Sequence, residues 1–249
     1  MKQFGYEESL KISYFQIDGN MVMTPAALFS DLQEVAINHS DALGYTVDYL
    51  SGKQLGWAII NWHLQVERMP KLGEKITIQT WSEKCRRMQA IRCFYVLDEK
   101  EDIIIKGTSR WIFMDLEKRK PTNIPDEMTA RYHSGQESAI PGEKFIMPKE
   151  NVNERASIRS LLITRRDTDT NGHANNVKYL EWAMDDVPDE IYDEMQLADV
   201  RIVYRKECVR GDEVVMKTYI HDMEDGKEVL TFITDKGQMV LAEVATLWQ

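Results

Sequence analysis

The sequence predicts an α+β fold built twice, a long helix wrapped by an antiparallel sheet in each half of the 249 residues. Three observations carry this reading. Each half opens with a strand-like segment, turns through an Asp/Asn cluster into an amphipathic helix, and continues as a run of strands. Gly73-Glu-Lys-Ile-Thr-Ile-Gln-Thr-Trp81 aligns with Gly211-Asp-Glu-Val-Val-Met-Lys-Thr-Tyr219 at a constant offset of 138. The length suits two domains of about 120 residues.

In the first half, Ser9 to Gln16 reads as a strand and Asp18-Gly19-Asn20 as a turn. Thr24-Pro25 starts a helix in the favoured order, a capping hydroxyl and then a proline whose missing N–H costs nothing there. Leu28, Leu32, Val35, Ala36 and Leu43 mark its buried face, and Gly44 ends it. Four strands follow, Trp57–Glu67, Lys75–Glu83, Ala90–Leu97 and Ile103–Met114, rich in Ile, Val, Trp, Phe and Thr. Residues 136–157 read as a connector, which gives a first domain over 1–135 and a second over 158–249. In the second domain, Ser160–Arg166 is strand-like and a helix runs to about Asp186. Further strands lie near Val200–Cys208, Glu213–Ile220, Glu228–Thr234 and Met239–Trp248. Asp18-Gly-Asn20 faces Asp169-Thr-Asn171, but Val22 stands where the second half has His173. An internal duplication accounts for this shared order better than two unrelated modules with similar punctuation. Two such units side by side are expected to form a groove between their helices.

Composition narrows the function. Hydrophobic residues make up 43%, enough for a sizeable core, and no apolar run approaches the roughly 18–20 residues of a membrane span. Met1-Lys-Gln-Phe-Gly leads directly into strand-like alternation without a signal or transit pattern, so a cytoplasmic location is expected. Cys85, Cys93 and Cys208 lack metal-ligand spacing and suit reduced thiols. The net charge of −10 argues against nucleic-acid binding. Basic clusters at Arg86-Arg87, Lys118-Arg119-Lys120, Arg165-Arg166 and Arg205-Lys206 are usually solvated faces. On so acidic a chain they are also the candidate docking surface for an acidic carrier.

Residues 167–182 hold the chemistry. Asp169, Asn171 and His173 alternate just ahead of a helix whose apolar positions Val177, Leu180, Met184 and Val187 recur at helical spacing. A histidine and free N–H groups at a helix start favour a developing negative charge, as in carbonyl chemistry. Asp167-x-Asp169-x-Asn171-Gly172 also opens like a calcium loop, but its twelfth position is Lys178 where a bidentate glutamate is required, so no metal site is expected. A turn histidine bonded to a carboxylate for structural reasons is the plainer account of His173. Against it, Asp169 could fix the imidazole tautomer and Asn171 could donate to an oxyanion. Asn175-Asn176 read as a cap pair. Glu207 and Cys208, within the strand Val200–Cys208, read as an edge charge and a small buried hydrophobe. Asn38-His39 read as a polar helix end, with a charged histidine favoured by the dipole.

Asp169-Thr-Asn171-Gly-His173-Ala-Asn175-Asn176-Val-Lys178-Tyr179, Tyr204-Arg-Lys-Glu207-Cys208 and Leu32-Gln-Glu-Val-Ala-Ile-Asn38-His39 together resemble the acyl-acyl carrier protein thioesterases. Thr108-Ser-Arg-Trp-Ile-Phe-Met-Asp115 with Lys118-Arg119-Lys120 resembles the same family's first-domain strand and basic turn. The resemblance, to the shorter bacterial form, implies a tandem hot-dog fold. It implies hydrolysis of fatty acyl-acyl carrier protein, ending chain elongation, without metal or cofactor. It implies a catalytic group of Asp169, Asn171, His173 and Glu207, with Cys208 and Asn175 as secondary candidates. The implied partner is acyl carrier protein bearing a fatty acyl-phosphopantetheine. A homodimer is an open oligomeric state, because a fused pair already supplies the interface a single hot-dog needs. Acyl-CoA hydrolysis, a hot-dog dehydratase of β-hydroxyacyl thioesters and a silent acyl-binding module are the alternatives.

Overall fold

Thr24 and Pro25 start the helix α1, Pro25–Ala42, as their order requires: Thr24 Oγ1 accepts the N–H of Ala27 at 3.2 Å. Leu28, Phe29, Leu32, Val35 and Ala36 are buried on one face. The helix closes at Leu43, and Gly44 takes the left-handed conformation, φ +86°, that suits glycine after a helix. In this computed structural model, residues 5–142, 144–149 and 156–249 are described. The chain divides into two units, Met1–Glu143 and Lys144–Gln249.

The first unit contains β1 (Tyr6–Lys11), β2 (Leu55–Val66), β3 (Lys75–Arg86), β4 (Gln89–Leu97), β5 (Ile103–Asp115) and β6 (Lys120–Pro121). They form an antiparallel sheet in the order β1-β3-β4-β5-β2, with β6 paired to β5. α1 packs on it through Phe29, whose ring lies 5.2 Å from that of Trp62, itself 5.2 Å from Phe94. All three are fully buried, and each contributes about 1.5–3 kcal/mol by leaving water. The expected strand Ser9–Gln16 is instead β1 followed by a 3-10 turn, Tyr14–Gln16, because the Gln16 carboxamide folds back to accept the N–H of Ser13. Two short helices, α2 (Val47–Gly52) and α3 (Asp126–Tyr132), fall below the length at which periodicity is readable. Their Leu50, Met128 and Tyr132 join Tyr45, Phe113 and Ile124 in a second core cluster.

The second unit repeats the plan with β7 (Ser157–Leu162), α4 (Asn176–Met184), α5 (Asp189–Glu194), β8 (Leu197–Tyr204), β9 (Glu213–Met223), β10 (Gly226–Asp235) and β11 (Val240–Trp248). The sheet order is β8-β11-β10-β9-β7, antiparallel throughout. The α+β class and hot-dog arrangement expected from the sequence therefore hold in both units. α4 is not the long helix expected, having nine residues against eighteen in α1. Asp185 and Asp186 are unfavourable at the negative end of a helix, and Pro188 bars its continuation. The strand expected over Val200–Cys208 stops at Tyr204. Arg205 and Lys206 both direct their N–H groups to one carbonyl, Leu241 O, at 2.8 and 3.1 Å, which ends the ladder. Glu207 and Cys208 thus lie in a loop, not in a strand. The connector over 136–157 starts packed on the first unit, where Trp81 Nε1 donates to Glu137 O and Ala139 and Ile140 are buried beside Trp81. Glu143 and residues 150–155 lie outside the described residues.

One hydrogen-bond scheme holds both helix entries. Ile12 N donates to Glu74 O as Ile163 N does to Asp212 O, each at 2.9 Å. Gly73 N and Gly211 N return to Ile12 O and Ile163 O, each at 3.0 Å. Asp18 N reaches Val22 O as Asp169 N reaches His173 O. Met23 N bonds Pro70 O as Ala174 N bonds Cys208 O, each at 2.8 Å. This register sets Val22 opposite His173 and Met69 opposite Glu207.

Candidate active site

The approach to α4 is built from local bonds. A 3-10 turn over Arg165–Asp167 is closed by the Asp167 carboxylate, which accepts from Thr164 N at 2.7 Å and Thr164 Oγ1 at 2.5 Å. Asp169 Oδ1 then accepts the N–H groups of Asn171 at 2.8 Å and His173 at 3.2 Å. Gly172 completes that turn at φ +81°, with its N–H on Asp169 O. Asn175 N donates to Asp167 O at 2.7 Å, and the Asn175 carboxamide caps α4 by accepting from Val177 N at 2.9 Å.

The bond from Ala174 N to Cys208 O and a bridge between His173 and Val209 lay this loop beside the one that follows β8. Residues far apart in sequence meet there: His173 Nε2 is 3.3 Å from Glu207 Oε2. The pair is wet, with 28% of the histidine side chain and 59% of the glutamate side chain exposed. An exposed pair of this kind contributes about 0–1 kcal/mol to stability. Stability gives little reason for it. An imidazole beside a solvated carboxylate is an arrangement that can take a proton from water.

The other four candidates have separate settings. Asn171 is exposed at the tip of the turn, two residues before His173. Asp169 is committed to main-chain N–H groups; its carboxylate holds the backbone of His173, not the imidazole. Asn175 is the helix cap. Cys208 is 3% exposed, with its Sγ 3.1 Å from Tyr179 Oη. Burial pushes the thiol above its ordinary range, and the Asp212 and Asp167 carboxylates add to this. A thiol so held is a poor source of thiolate.

Among the basic candidates, Arg165 and Arg166 are exposed in the 3-10 turn that leads to Asp169. Arg205 is paired to Glu243 at 2.9 Å, and Lys206 lies against Met239 Sδ. Arg210, which the sequence alone did not single out, is exposed one residue beyond Val209. Its signal was available, because the repeat aligns Gly211 with Gly73 and thus Arg210 with Leu72. In the first unit, Arg86 and Arg87 line a cleft of about 470 Å³ with Lys84, Met88, Gln89, Ile91 and Arg110, and no carboxylate lines it. Lys118 is tied to Asp115 at 2.7 Å, Arg119 occupies the turn at φ +50°, and Lys120 lies in β6.

His39 departs from expectation. It is 3% exposed and accepts a bond from Arg92 Nη1 at Nδ1, 2.8 Å, so it is neutral rather than a charged helix end. Burial first, and then the Arg92 charge, lower its pKa to about 3. The dipole of α1 is outweighed by desolvation.

Comparison with known proteins finds relatives of both halves of the chain. Residues 3–132 match the acyl-ACP thioesterase N-terminal domain and residues 150–249 the acyl-ACP thioesterase C-terminal domain. A chloroplastic acyl-[acyl-carrier-protein] hydrolase of Cuphea viscosissima is 27% identical over 236 residues, which cover 90% of this chain and 57% of that one. The chloroplastic oleoyl-acyl carrier protein thioesterase 1 of Arabidopsis thaliana is 27% identical, over 84% of this chain and 62% of its own. The chain thus spans about three fifths of the length of these curated relatives. Among solved structures, an acyl-ACP thioesterase from Bacteroides thetaiotaomicron superposes with a TM-score of 0.86 at 24% identity, covering 98% of this chain and 97% of that one. The 12:0-ACP thioesterase from Umbellularia californica gives 0.87 at 24% identity, covering 98% and 96%. At that identity these two establish a likeness of fold.

Proposed function

Because the chain belongs to the acyl-ACP thioesterase family, we propose that it hydrolyses the thioester of a fatty acyl group carried on acyl carrier protein, releasing free fatty acid and ending chain elongation. The observation that carries this is the approach of His173 Nε2 to Glu207 Oε2, 3.3 Å, beside the start of α4. A thioester carbonyl is already electrophilic and a thiolate leaves readily, so a positioned, deprotonated water meets most of the need. Glu207, with His173, takes the proton as the water oxygen attacks the carbonyl carbon. The C–S bond then breaks and the proton passes to the departing thiolate. Asn171, exposed at the turn tip, and the N–H of Asn176 at the start of α4 are the donors for the oxyanion. Asp169 is a positioning residue that acts through the main chain of His173. Attack by the Glu207 carboxylate itself, through a mixed anhydride, is the competing route.

The exposed Arg165, Arg166 and Arg210 support an acidic substrate carrier at this mouth, and each is without an ion pair among the described residues. Arg86 and Arg87, in their carboxylate-free cleft, support a second contact with the same partner. The first domain receives the acyl chain and has no imidazole of its own at the equivalent turn, where Val22 and Met69 stand.

The test is a comparison of acyl-acyl carrier protein with acyl-CoA at matched chain length, following free thiol and enoyl product separately. Thiol release faster from the carrier protein is expected. Enoyl formation without thiol release would replace hydrolysis by dehydration. Single-turnover reaction in oxygen-18 water distinguishes the two hydrolytic routes, since label in the Glu207 carboxylate requires the anhydride.

A further inference from the structure

The first unit carries an exposed apolar patch at the place where the second carries its arginine-rimmed mouth. Tyr14 is 79% exposed, Phe15 89%, Met21 62% and Leu72 40%. They belong to two adjoining segments, joined by Gly73 N to Ile12 O, Leu72 N to Met21 O and Met23 N to Pro70 O. By the shared register, Tyr14 and Phe15 stand opposite Arg165 and Arg166, and Leu72 stands opposite Arg210. The same main-chain bonds hold both turns, so the fold does not require apolar side chains here. Two aromatic rings nearly fully in water are unfavourable unless something covers them.

The charge around the patch identifies what that is. Lys11, Lys71 and Lys75 are all exposed, Lys11 and Lys75 facing each other across the β1–β3 pair and Lys71 preceding Leu72. None has an ion-pair partner among the described residues. Carboxylates near the patch have partners of their own: Asp18 Oδ1 holds the N–H groups of Asn20 and Val22, Glu74 binds Arg68 at 2.6 Å and Lys71 N at 2.9 Å, Asp31 accepts from Gln16 Nε2 at 2.9 Å, and Glu8 accepts from Asn38 Nδ2 at 2.9 Å. Aromatic and aliphatic tips ringed by lysines match the boundary between acyl chains and anionic headgroups. We propose that this face docks on an anionic lipid surface, with Tyr14, Phe15, Met21 and Leu72 entering the interface and Lys11, Lys71 and Lys75 meeting lipid phosphates. No helix among the described residues is long and apolar enough to cross a membrane, so the contact is peripheral. A second copy of the chain is a poorer occupant, since a two-fold contact would set these lysines against themselves. The overall charge of −10 opposes approach, but at physiological salt it is screened beyond about 8 Å. The inference is independent of the thioester reading.

The experiment is flotation of the full chain with phosphatidylcholine vesicles, with and without phosphatidylglycerol. Binding is expected with phosphatidylglycerol and much less without it. The double variant Tyr14→Ser/Phe15→Ser should lose at least about tenfold in partitioning. Lys11→Gln, Lys71→Gln and Lys75→Gln should each cost about fivefold, on phosphatidylglycerol vesicles only. Thermal melting of these surface variants should match the parent, which separates lost docking from lost folding. Failure of the parent chain to float overturns the proposal, as does flotation unaffected by the ring variants. Sedimentation showing a dimer that the ring variants dissociate, without vesicle binding, assigns the patch to self-association instead.

Discussion

Asp169 Oδ1 accepts the main-chain N–H of His173 at 3.2 Å, and Asp18 Oδ1 accepts that of Val22 at 3.0 Å in the corresponding turn. The aspartate serves the turn whether or not a histidine follows. Asp169→Ala should therefore lower stability by about 1–2 kcal/mol, two bonds lost, and lower turnover by misplacing the imidazole. Asp169→Asn keeps the acceptor oxygen and should retain most of both. Asp18→Ala should destabilise comparably with turnover per folded molecule unchanged. Chemical denaturation with single-turnover assays on the three variants checks this; a turnover loss in Asp169→Asn equal to that in Asp169→Ala would show that the charge itself is needed.

Glu207 and His173 should separate activity from stability. Their exposed contact contributes about 1 kcal/mol at most, so Glu207→Gln and His173→Ala should melt within a few degrees of the parent. Turnover should fall about a hundredfold to ten-thousandfold in each. If either variant turns over at the parent rate, the pair is not the proton-transfer group.

Cys208 offers a different contrast. Its thiol is buried against Tyr179 Oη and held protonated, so Cys208→Ala should keep substantial activity and the native thiol should react slowly with iodoacetamide at neutral pH. Abolished turnover in a folded Cys208→Ala protein would point to the thiol as the nucleophile instead.

Two groups of the first unit set opposite pH limbs. The pKa of His39, about 3, is depressed below its unfolded value, so its contribution is present above pH 6.5 and is lost as pH falls from there toward about 3. Asp31 has a pKa raised to about 6, first by burial; its contribution is present below its unfolded value of 3.8 and is lost as pH rises through about 6. Asp31→Asn, which still accepts from Gln16 Nε2, should raise the melting temperature by a few degrees at pH 8 with little change at pH 4. His39→Gln should flatten the acid limb. Melting curves across pH 4–8 test both; an unchanged acid limb in His39→Gln would mean that other groups govern it.

Much of the architecture was legible because its signals are local. Thr24, Pro25 and Gly44 mark α1 by backbone chemistry, and the two glycine-led strands announce the repeat. Other features depend on what the chain meets after folding. Glu207 leaves the strand because Arg205 and Lys206 converge on a single carbonyl of β11, a tertiary event with no trace in the Val200–Cys208 pattern. His39 looks like a solvated helix end until Arg92 arrives from β4. The short α2, α3 and α5 give too few turns for a period to emerge. The His173–Glu207 contact could be reached from the sequence only through family resemblance, since the bond that joins their loops is between backbone atoms.

That main-chain scaffolding has a further consequence. A turn held by Asp Oδ1 and amide bonds tolerates replacement of the side chains it displays, so the two copies can differ in surface without differing in backbone. One copy presents acid–base groups and arginines, the other rings and lysines, on frames that remain interchangeable. Transplanting the side chains of one turn onto the other, Val22→His with Met69→Glu, therefore asks only whether the surrounding cavity is suitable, the loop geometry being already in hand.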